Sequence, residues 1–350
     1  MLRIVSYGLT VALSVAGIAA KFLGAPVPVV FVLTSLAMVG LAWLLSQATE
    51  SLGHHAGPRV GGILSATFGN AAELIITVFA LSAGLTTVVK ASIIGSILGN
   101  ALLVLGMSLV AGGLKNGTQR FSPTIAGANA AMLAIVAVGL SLPTIFAATG
   151  PKEGARATEY LSISEAVVLV VVYVLALVFY FRRPAASRAG SEGERTPPFR
   201  PRVSLALMLG AAGAIAAVSE VFVGAIEPMV KEMGLSELFV GVILVPLIGN
   251  AAEQSVGIRI AYKNDMDFSM AISLGSSLQV ALLVTPILVF LGPLLGHPLK
   301  LVFSPLELGA LAATVVVTGF IALDGESNWL EGVMLCGVYV IAALAFFFST

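Results

Sequence analysis

The chain has 350 residues, of which 58% are hydrophobic and only 10% are charged. Soluble domains contain about 25% charged residues, and the mean hydropathy of +1.03 excludes an ordinary water-soluble protein. The 18 basic and 18 acidic residues balance, so the charge gives no sign of a nucleic-acid partner. The single cysteine, Cys336, cannot form a disulfide within the chain.

Eleven runs of mostly apolar residues, each close to the length of a membrane-spanning helix, follow one another along the chain. One sustained polar stretch, residues 182–202, separates the sixth run from the seventh. The sequence therefore predicts an all-α polytopic membrane protein embedded in a lipid bilayer. The predicted spans are Ile4 to Leu23, Val27 to Leu45, Gly61 to Leu81, Ala91 to Leu114, Ile125 to Ala147, Leu161 to Phe181, Val203 to Ala225, Leu238 to Ala261, Phe268 to Leu291, Leu306 to Leu323 and Trp329 to Phe348.

The first run, preceded by Arg3, is consistent with either a cleaved signal peptide or a permanent helix. Its apolar stretch is long for a signal and no convincing cleavage site follows. We expect an uncleaved extra helix over residues 1–24.

The distribution of Lys and Arg predicts the orientation, because cytoplasmic loops retain positive charge. A cytoplasmic N-terminus places twelve basic residues inside, six of them in the linker, and six outside. With eleven spans the C-terminus is then external. The short loops favour a prokaryotic cell (inner) membrane, with an acidic organelle as the alternative. The inside set is Arg3, Arg59, Lys115, Arg120, the linker arginines, Arg259 and Lys263; the outside set is Lys21, Lys90, Lys152, Arg156, Lys231 and Lys300.

The chain resembles itself at an offset of 180 residues. Residues 61–80 and 241–260 agree at eight of twenty positions, and residues 92–105 and 272–285 agree at seven of fourteen. Phe121-Ser122-Pro123 then recurs as Phe303-Ser304-Pro305. We interpret residues 26–181 and 203–350 as two five-span copies joined by the cytoplasmic linker 182–202. An odd number of spans per copy predicts opposite orientations, the inverted-repeat arrangement of secondary transporters.

Each copy carries the motif GNAAE inside an apolar span, at Gly69 to Glu73 and at Gly249 to Glu253. An ionised carboxylate at the centre of a bilayer costs at least about 2.5 to 3.5 kcal/mol, so a buried glutamate needs a partner or a function. Glycine followed by asparagine weakens the helix, and we expect local unwinding there. The alternative is a purely structural role, in which Glu73 and Glu253 only form hydrogen bonds to neighbouring helices. The duplication of the motif makes this the weaker interpretation.

Two glutamates, the amides of Asn70 and Asn250, and backbone carbonyls freed near Gly69 and Gly249 form an all-oxygen set. Such a set suits Ca²⁺ or a similar hard divalent cation, which takes six to eight oxygens. Without metal, two close carboxylates are expected to take up protons. Ca²⁺ and H⁺ would then compete for the same oxygens, and no cofactor is needed.

Other polar residues are weaker candidates for the pathway. Ser96 and Ser276 could approach the ion, and Asn100 and Gln279 could line its path, but the Gly95-x-x-x-Gly99 pattern is more typical of a helix contact. Glu50 and Glu220 could relay protons at a cavity mouth, although glutamates at span ends are usually just solvated. Glu165, Glu227 and Glu307 lie nearer predicted helix ends and carry less weight. Asp265 and Asp267 are expected to cap a helix.

These segments together resemble the calcium/cation-proton antiporter (CAX) family of the cation/calcium exchanger superfamily. The resemblance covers spans two to eleven and includes Ala48-Thr49-Glu50, ATFGNAAELI ending at Ile76, ILVPLIGNAAEQ ending at Gln254, and GSSLQ over 275–279. It implies that Glu73 and Glu253 match paired calcium-binding, proton-exchanging glutamates, and that Asn70, Asn250 and Gln279 match polar residues of the pathway. Gln254 stands where the family often has histidine.

Three other functions fit the sequence less well. A sodium/calcium exchanger usually carries hydroxyl residues beside its acidic groups, whereas this chain has alanines at 71, 72, 251 and 252. An intramembrane hydrolase would need a nucleophile-base pair or a metal triad within the spans, and the apolar runs contain no histidine for one. A passive channel would not need two inverted carboxylate motifs. The sequence thus favours a Ca²⁺/H⁺ antiporter over an enzyme, and it leaves open whether the chain works as a homo-oligomer.

Overall fold

The computed structural model describes residues 2–57, 60–61, 64, 67–150, 155–182 and 199–349. This part of the chain is almost entirely helical, with one two-stranded ribbon. Predictions for Arg59, Lys152, linker residues 183–198 and residues 62, 63, 65 and 66 of the third span lie outside the described residues.

The first half consists of long helices interrupted near the repeated motifs. Residues 67 and 68 are helical, and Gly69 and Asn70 form a turn before the next helix. The elements are α1 (Leu2–Phe22), α2 (Val27–Ala56), α3 (Ala71–Ser82), α4 (Thr86–Leu98), a π-helical segment π1 (Gly99–Val104), α5 (Leu105–Asn116), β1 (Gln119–Arg120), α6 (Pro123–Thr149) and α7 (Ala155–Arg182).

The second half is built from similar pieces. Asn250 separates the helical stretch Glu237–Gly249 from the helix Ala251–Tyr262, and the chain bends there by 63°. The elements are α8 (Pro201–Met233), α9 (Glu237–Phe239), π2 (Val240–Leu244), α10 (Val245–Gly249), α11 (Ala251–Tyr262), α12 (Met266–Gln279), π3 (Val280–Val284), α13 (Thr285–Leu294), α14 (Pro305–Ile321), β2 (Glu326–Ser327) and α15 (Trp329–Phe347).

Among the described residues, seven helical stretches are long and apolar enough to cross a membrane, and the bent pair Glu237–Gly249 and Ala251–Tyr262 makes an eighth. Three shorter apolar helices, Ser6–Phe22, Ala71–Ser82 and Pro305–Ile321, occupy the first, third and tenth predicted spans. The predicted all-α membrane character is confirmed. The count of eleven is not reached by length, because the helices of the first, third and tenth predicted spans are shorter, the third because of the turn at Gly69 and Asn70.

Helix breaks occur at both Gly-Asn pairs, as the sequence predicted. The π-helical segments were not predicted. Segments π1 and π3 begin at Gly99 and Val280, which differ by only one residue from the repeat offset. Such segments widen a helix locally and are frequent at functional sites.

Helix α1 packs along α2 as part of the bundle. The Tyr7 hydroxyl donates to Gln47 Oε1 at 3.1 Å, and the Tyr7 ring centroid lies 5.7 Å from that of Trp43. Gly17 allows a close approach, because a β-carbon there would lie 2.9 Å from Cγ2 of Thr34.

The core of the bundle surrounds the stretch from Thr86 to Asn116, in whose most apolar part 83% of the residues are buried. The corresponding value for Arg156–Phe179 is 17%, so α7 lies at the periphery. Gly95 and Ser96 therefore lie in a deeply buried helix, and Gly275 and Ser276 lie in Met266–Leu294, for which the corresponding value is 67%.

Several helices begin with side-chain caps. Ser304 and Glu307 form a capping box at the start of α14, which gives Glu307 a structural role. Asp265 accepts from the Phe268 amide at 3.2 Å and caps α12, as predicted. Asp267 instead accepts from the backbone amide of Ser122 at 2.6 Å.

The loops form two groups of mutual contacts. In the first, the ribbon pairs Gln119 with Ser327, and Ser122 contacts Asp267. In the second, the Phe303 amide donates to Thr144 Oγ1 at 2.9 Å, and Lys90 Nζ donates to the carbonyl of Val302 at 2.7 Å. Helix α6 joins the groups, since Ser122 precedes its first turn and Thr144 lies in its last two turns.

Candidate functional site

Glu73 and Glu253 each lie in the first turn of a helix that follows a break in the preceding helix. The first-turn amides of a helix lack helical partners and the positive end of the helix dipole favours an anion, so both positions suit a carboxylate. Glu73 is 4% exposed. Glu253 is partly exposed.

The Glu73 carboxylate receives two side-chain hydrogen bonds, and one comes from the other half of the chain. Ser96 Oγ and Asn250 Nδ2 both donate to its Oε1. Its Oε2 is buried and has no hydrogen-bond partner among the described residues. Gly249 makes room for this side chain, since a β-carbon there would lie 2.7 Å from Glu73 Cγ.

The Glu253 carboxylate receives one side-chain hydrogen bond, from Ser276 Oγ to its Oε2. The same hydroxyl lies 3.0 Å from Oδ1 of Asn70. Asn70 in turn donates from Nδ2 to Gln279 Oε1 at 2.8 Å. A serine hydroxyl carries a single proton, so Glu253 and Asn70 share one donor.

These residues form two hydrogen-bonded groups, which adjoin because Asn70 and Glu73 flank the start of α3 and Asn250 and Glu253 flank the start of α11. The groups are Glu73 with Ser96 and Asn250, and Glu253 with Ser276, Asn70 and Gln279, and we call all seven residues together the carboxylate cluster. Residues from both halves interlock, because the asparagine of each half bonds with residues of the other. The Glu73 side chain also contacts the position of Gly249, four residues before Glu253.

No basic side chain neutralises the carboxylate cluster in the described part of the chain, where the ion pair found is Arg120 with Glu326 at the surface, at 3.0 Å. Burying unpaired charge is costly, so buried carboxylates require protons or cations for neutrality. The cluster is therefore suited to hold either.

The structure brings together most of the predicted site residues, with some differences. Gly69 forms the turn before Asn70, and Gly249 ends α10 beside Glu73. Asn100 lies in π1, is 1% exposed and has an unpartnered Nδ2, but no described hydrogen bond joins it to the cluster. Glu50 and Glu220 are exposed, and no described hydrogen bond connects them to the cluster; their proposed proton relay stays a prediction.

Ser96, Ser276 and Glu165 are more closely tied to buried polar chemistry than the sequence predicts. Ser96 and Ser276 bond directly to the glutamates, and their equal 23-residue spacing from Glu73 and Glu253 was the available signal. Glu165 lies ten residues into α7, not at its end, and both of its carboxylate oxygens are buried without a described partner. It fills the space above Gly139, where a β-carbon would lie 3.0 Å from Glu165 Oε1.

The chain matches the family model described as "Sodium/calcium exchanger protein" over residues 26–182 and 203–348. It is 42% identical over 350 residues to the "Ca(2+)/H(+) antiporter" of Synechocystis sp., covering 94% of each protein. It is 40% identical over 335 residues to the "Ca(2+)/H(+) antiporter" of Aphanothece halophytica, covering 91% of this chain and 90% of that protein.

A crystal structure of the Ca²⁺/H⁺ antiporter protein YfkE has a similar fold. The two chains are 36% identical and superpose with a TM-score of 0.85, covering 98% of this chain and 99% of that one. The chain therefore belongs to the sodium/calcium exchanger protein family and groups with its Ca²⁺/H⁺ antiporters, which confirms the resemblance predicted from the two GNAAE motifs.

Proposed function

We propose that this chain exchanges Ca²⁺, or a similar divalent cation, for H⁺ across a membrane, and that the carboxylate cluster binds both ions in turn. The observation that carries the proposal is that Glu73 bonds to Asn250 of the other half and that Glu253 is linked to Asn70 of the other half through Ser276, inside an apolar bundle. The antiporters to which the chain is similar support the same transported ions.

Charge balance favours this exchange. Two ionised carboxylates carry a charge of minus two, which one divalent cation or two protons neutralise. The side chains of the cluster offer carboxylate, amide and hydroxyl oxygens, the ligand type that Ca²⁺ prefers. Metal and protons therefore exclude each other from the same oxygens.

Alternating access follows from the free-energy cost of burying two ionised carboxylates that have no bound ion. A cluster neutralised by metal or by protons can move through a low-dielectric interior, whereas the bare dianion resists being enclosed. Each ion is then released on the side where its concentration is low. This gives exchange without any covalent chemistry, and so the proposal is a transporter and not an enzyme.

Protons are favoured over sodium as the counter-ion. Positions 71, 72, 251 and 252, which flank the glutamates, are alanines and offer no hydroxyl ligands. The sodium/calcium exchanger alternative rests on the family's general name.

We also propose eleven spans arranged as two inverted repeats, residues 26–181 and 203–350, after an extra helix over residues 1–24. The motif Phe121-Ser122-Pro123 lies at the start of α6, whereas Phe303 of its copy contacts Thr144, about 20 residues further along that helix. At 1.5 Å per residue this is roughly 30 Å, the thickness of a bilayer core. Equivalent motifs at opposite ends of one helix support opposite orientation.

The loop contacts support the predicted division of the loops between two sides, and the distribution of Lys and Arg predicts that the N-terminus is cytoplasmic and the C-terminus outside. Lys115, Arg120 and Lys263 belong to loops that contact one another. Phe303 and Lys90 belong to the other group. The first group of loops lies on the side that is predicted to be cytoplasmic. The proposed location is a prokaryotic inner membrane.

The test is Ca²⁺ uptake by proteoliposomes under an imposed pH gradient. We expect uptake by the native chain, with loss in Glu73→Gln and in Glu253→Gln. The matched control is Glu326→Gln, which removes a surface carboxylate that pairs only with Arg120. Uptake driven by a sodium gradient instead would establish a sodium/calcium exchanger, and downhill Ca²⁺ flux that no pH gradient can reverse would establish a channel.

A further inference from the structure

The carboxylate cluster is less symmetric than the sequence repeat. At the offset of 180 residues, Asn70 corresponds to Asn250, Glu73 to Glu253 and Ser96 to Ser276. Asn250 donates to the Glu73 carboxylate. By symmetry Asn70 should donate to the Glu253 carboxylate, but it donates to Gln279 instead.

The repeat also contains the reason for this difference. The counterpart of Gln279 in the first copy is Gly99, which has no side chain. Asn250 therefore meets no competing amide and bonds to the glutamate, whereas Asn70 is held at 2.8 Å by Gln279 Oε1.

We propose that Gln279 is a positioning residue that makes the two carboxylates unequal, by holding the Asn70 amide away from Glu253. The inference rests on the proposed function of the cluster. Glu73 is left with two donors and 4% exposure, while Glu253 keeps one donor and is partly exposed. Both carboxylates keep free lone pairs, but Glu253 has fewer donors and is more exposed, so we assign it as the carboxylate that an approaching cation reaches first and Glu73 as the fixed one.

The connection from Gln279 to Glu253 runs through two hydrogen bonds. Gln279 binds the amide nitrogen of Asn70, which directs Asn70 Oδ1 towards Ser276 Oγ at 3.0 Å. Ser276 is also the donor to Glu253. Releasing Asn70 lets its amide nitrogen turn to Glu253, where an incoming cation must displace it.

Two variants test the proposal. Gln279→Gly copies the first half of the chain, and Gln279→Met removes the acceptor while keeping the length of the side chain. In proteoliposomes we expect each to raise the KM for Ca²⁺ about three- to tenfold, the range of a single hydrogen bond, with a smaller change in kcat. The Met variant also serves if the Gly variant folds poorly.

A double-mutant comparison separates positioning from direct cation binding. In an Asn70→Ala background no amide is left to turn, so adding Gln279→Met should leave KM unchanged from Asn70→Ala alone. The control is Gln47→Leu, whose amide accepts from Tyr7 between α1 and α2 and should retain the native KM.

Other patterns overturn the inference. A Gln279→Met effect of equal size in both backgrounds would mean that Gln279 acts without Asn70, and a native KM in both Gln279 variants would mean that it positions nothing. These results differ from failure of the proposed function, in which the native chain itself shows no uptake driven by a pH gradient.

Discussion

Asn250 donates a hydrogen bond from its amide nitrogen to the carboxylate of Glu73, a residue 177 positions earlier in the chain. The bond joins the break before α11 to the first turn of α3, so the two Gly-Asn breaks meet at one point. The proposed ion site therefore takes residues from both halves of the chain, and neither half would form it alone.

The unequal hydrogen bonding of the glutamates predicts unequal effects of the two equivalent serines. In Ser96→Ala the Glu73 carboxylate keeps its bond from Asn250, whereas in Ser276→Ala the Glu253 carboxylate loses its described side-chain donor. We expect Ser276→Ala to change the KM for Ca²⁺ by about tenfold and Ser96→Ala by about threefold or less. Initial rates of Ca²⁺ uptake measure both, and equal effects would contradict the asymmetry.

Competition between metal and protons predicts a pH dependence of Ca²⁺ affinity. The carboxylates must be free of protons before they bind metal, so a higher pH on the Ca²⁺-binding side should lower KM. The maximal rate at saturating Ca²⁺ should change less, because excess metal displaces the protons. Uptake measured over a series of pH values checks this, and a KM that is independent of pH would rule out shared binding oxygens.

The sequence could predict the meeting of Glu73 and Glu253, because a duplicated motif in opposite orientations converges at the bilayer midplane. It could not predict which donor bonds to which acceptor. The exchange of Gly99 for Gln279 is visible in the aligned repeats, but its consequence for Asn70 depends on the register between α3 and α12, which packing sets.

The π-helical segments could not be predicted from the sequence either. In π1 and π3 nearly all residues are apolar, so inserting one residue into a turn leaves no trace in the hydrophobic pattern. Glu165 was underestimated for a different reason. Its span was predicted to begin at Leu161, whereas α7 begins at Ala155 and places the carboxylate well inside the helix.

Adjacent residues at the ribbon give a contrast in stability. Gln119 is buried and donates from Nε2 to the carbonyl of Ala261 at 3.0 Å and to Asn264 Oδ1 at 2.9 Å. Gln119→Leu should destabilise the protein by about 1 to 3 kcal/mol, since it removes two hydrogen bonds, of which the one to Ala261 is buried. Arg120→Ala removes an ion pair whose arginine side chain is 85% exposed and should change little. Thermal unfolding in detergent compares them, and equal melting temperatures would contradict the assignment.

Two equivalent glycines differ in what surrounds them. Gly95, in α4, lies so close to π2 that a β-carbon on it would overlap the carbonyl of Val242. A β-carbon on Gly275 would have no neighbouring atom within 4 Å. Overpacking against backbone costs about 1 to 3 kcal/mol or more, because a carbonyl cannot move aside as a flexible side chain can. Gly95→Ala should therefore lower the melting temperature and the yield of folded protein, while Gly275→Ala should leave both at native levels. Size-exclusion profiles and thermal unfolding in detergent measure the pair. A stable Gly95→Ala protein would show that α4 and π2 can separate, and the close packing of the two halves beside Ser96 would then not be required for the fold.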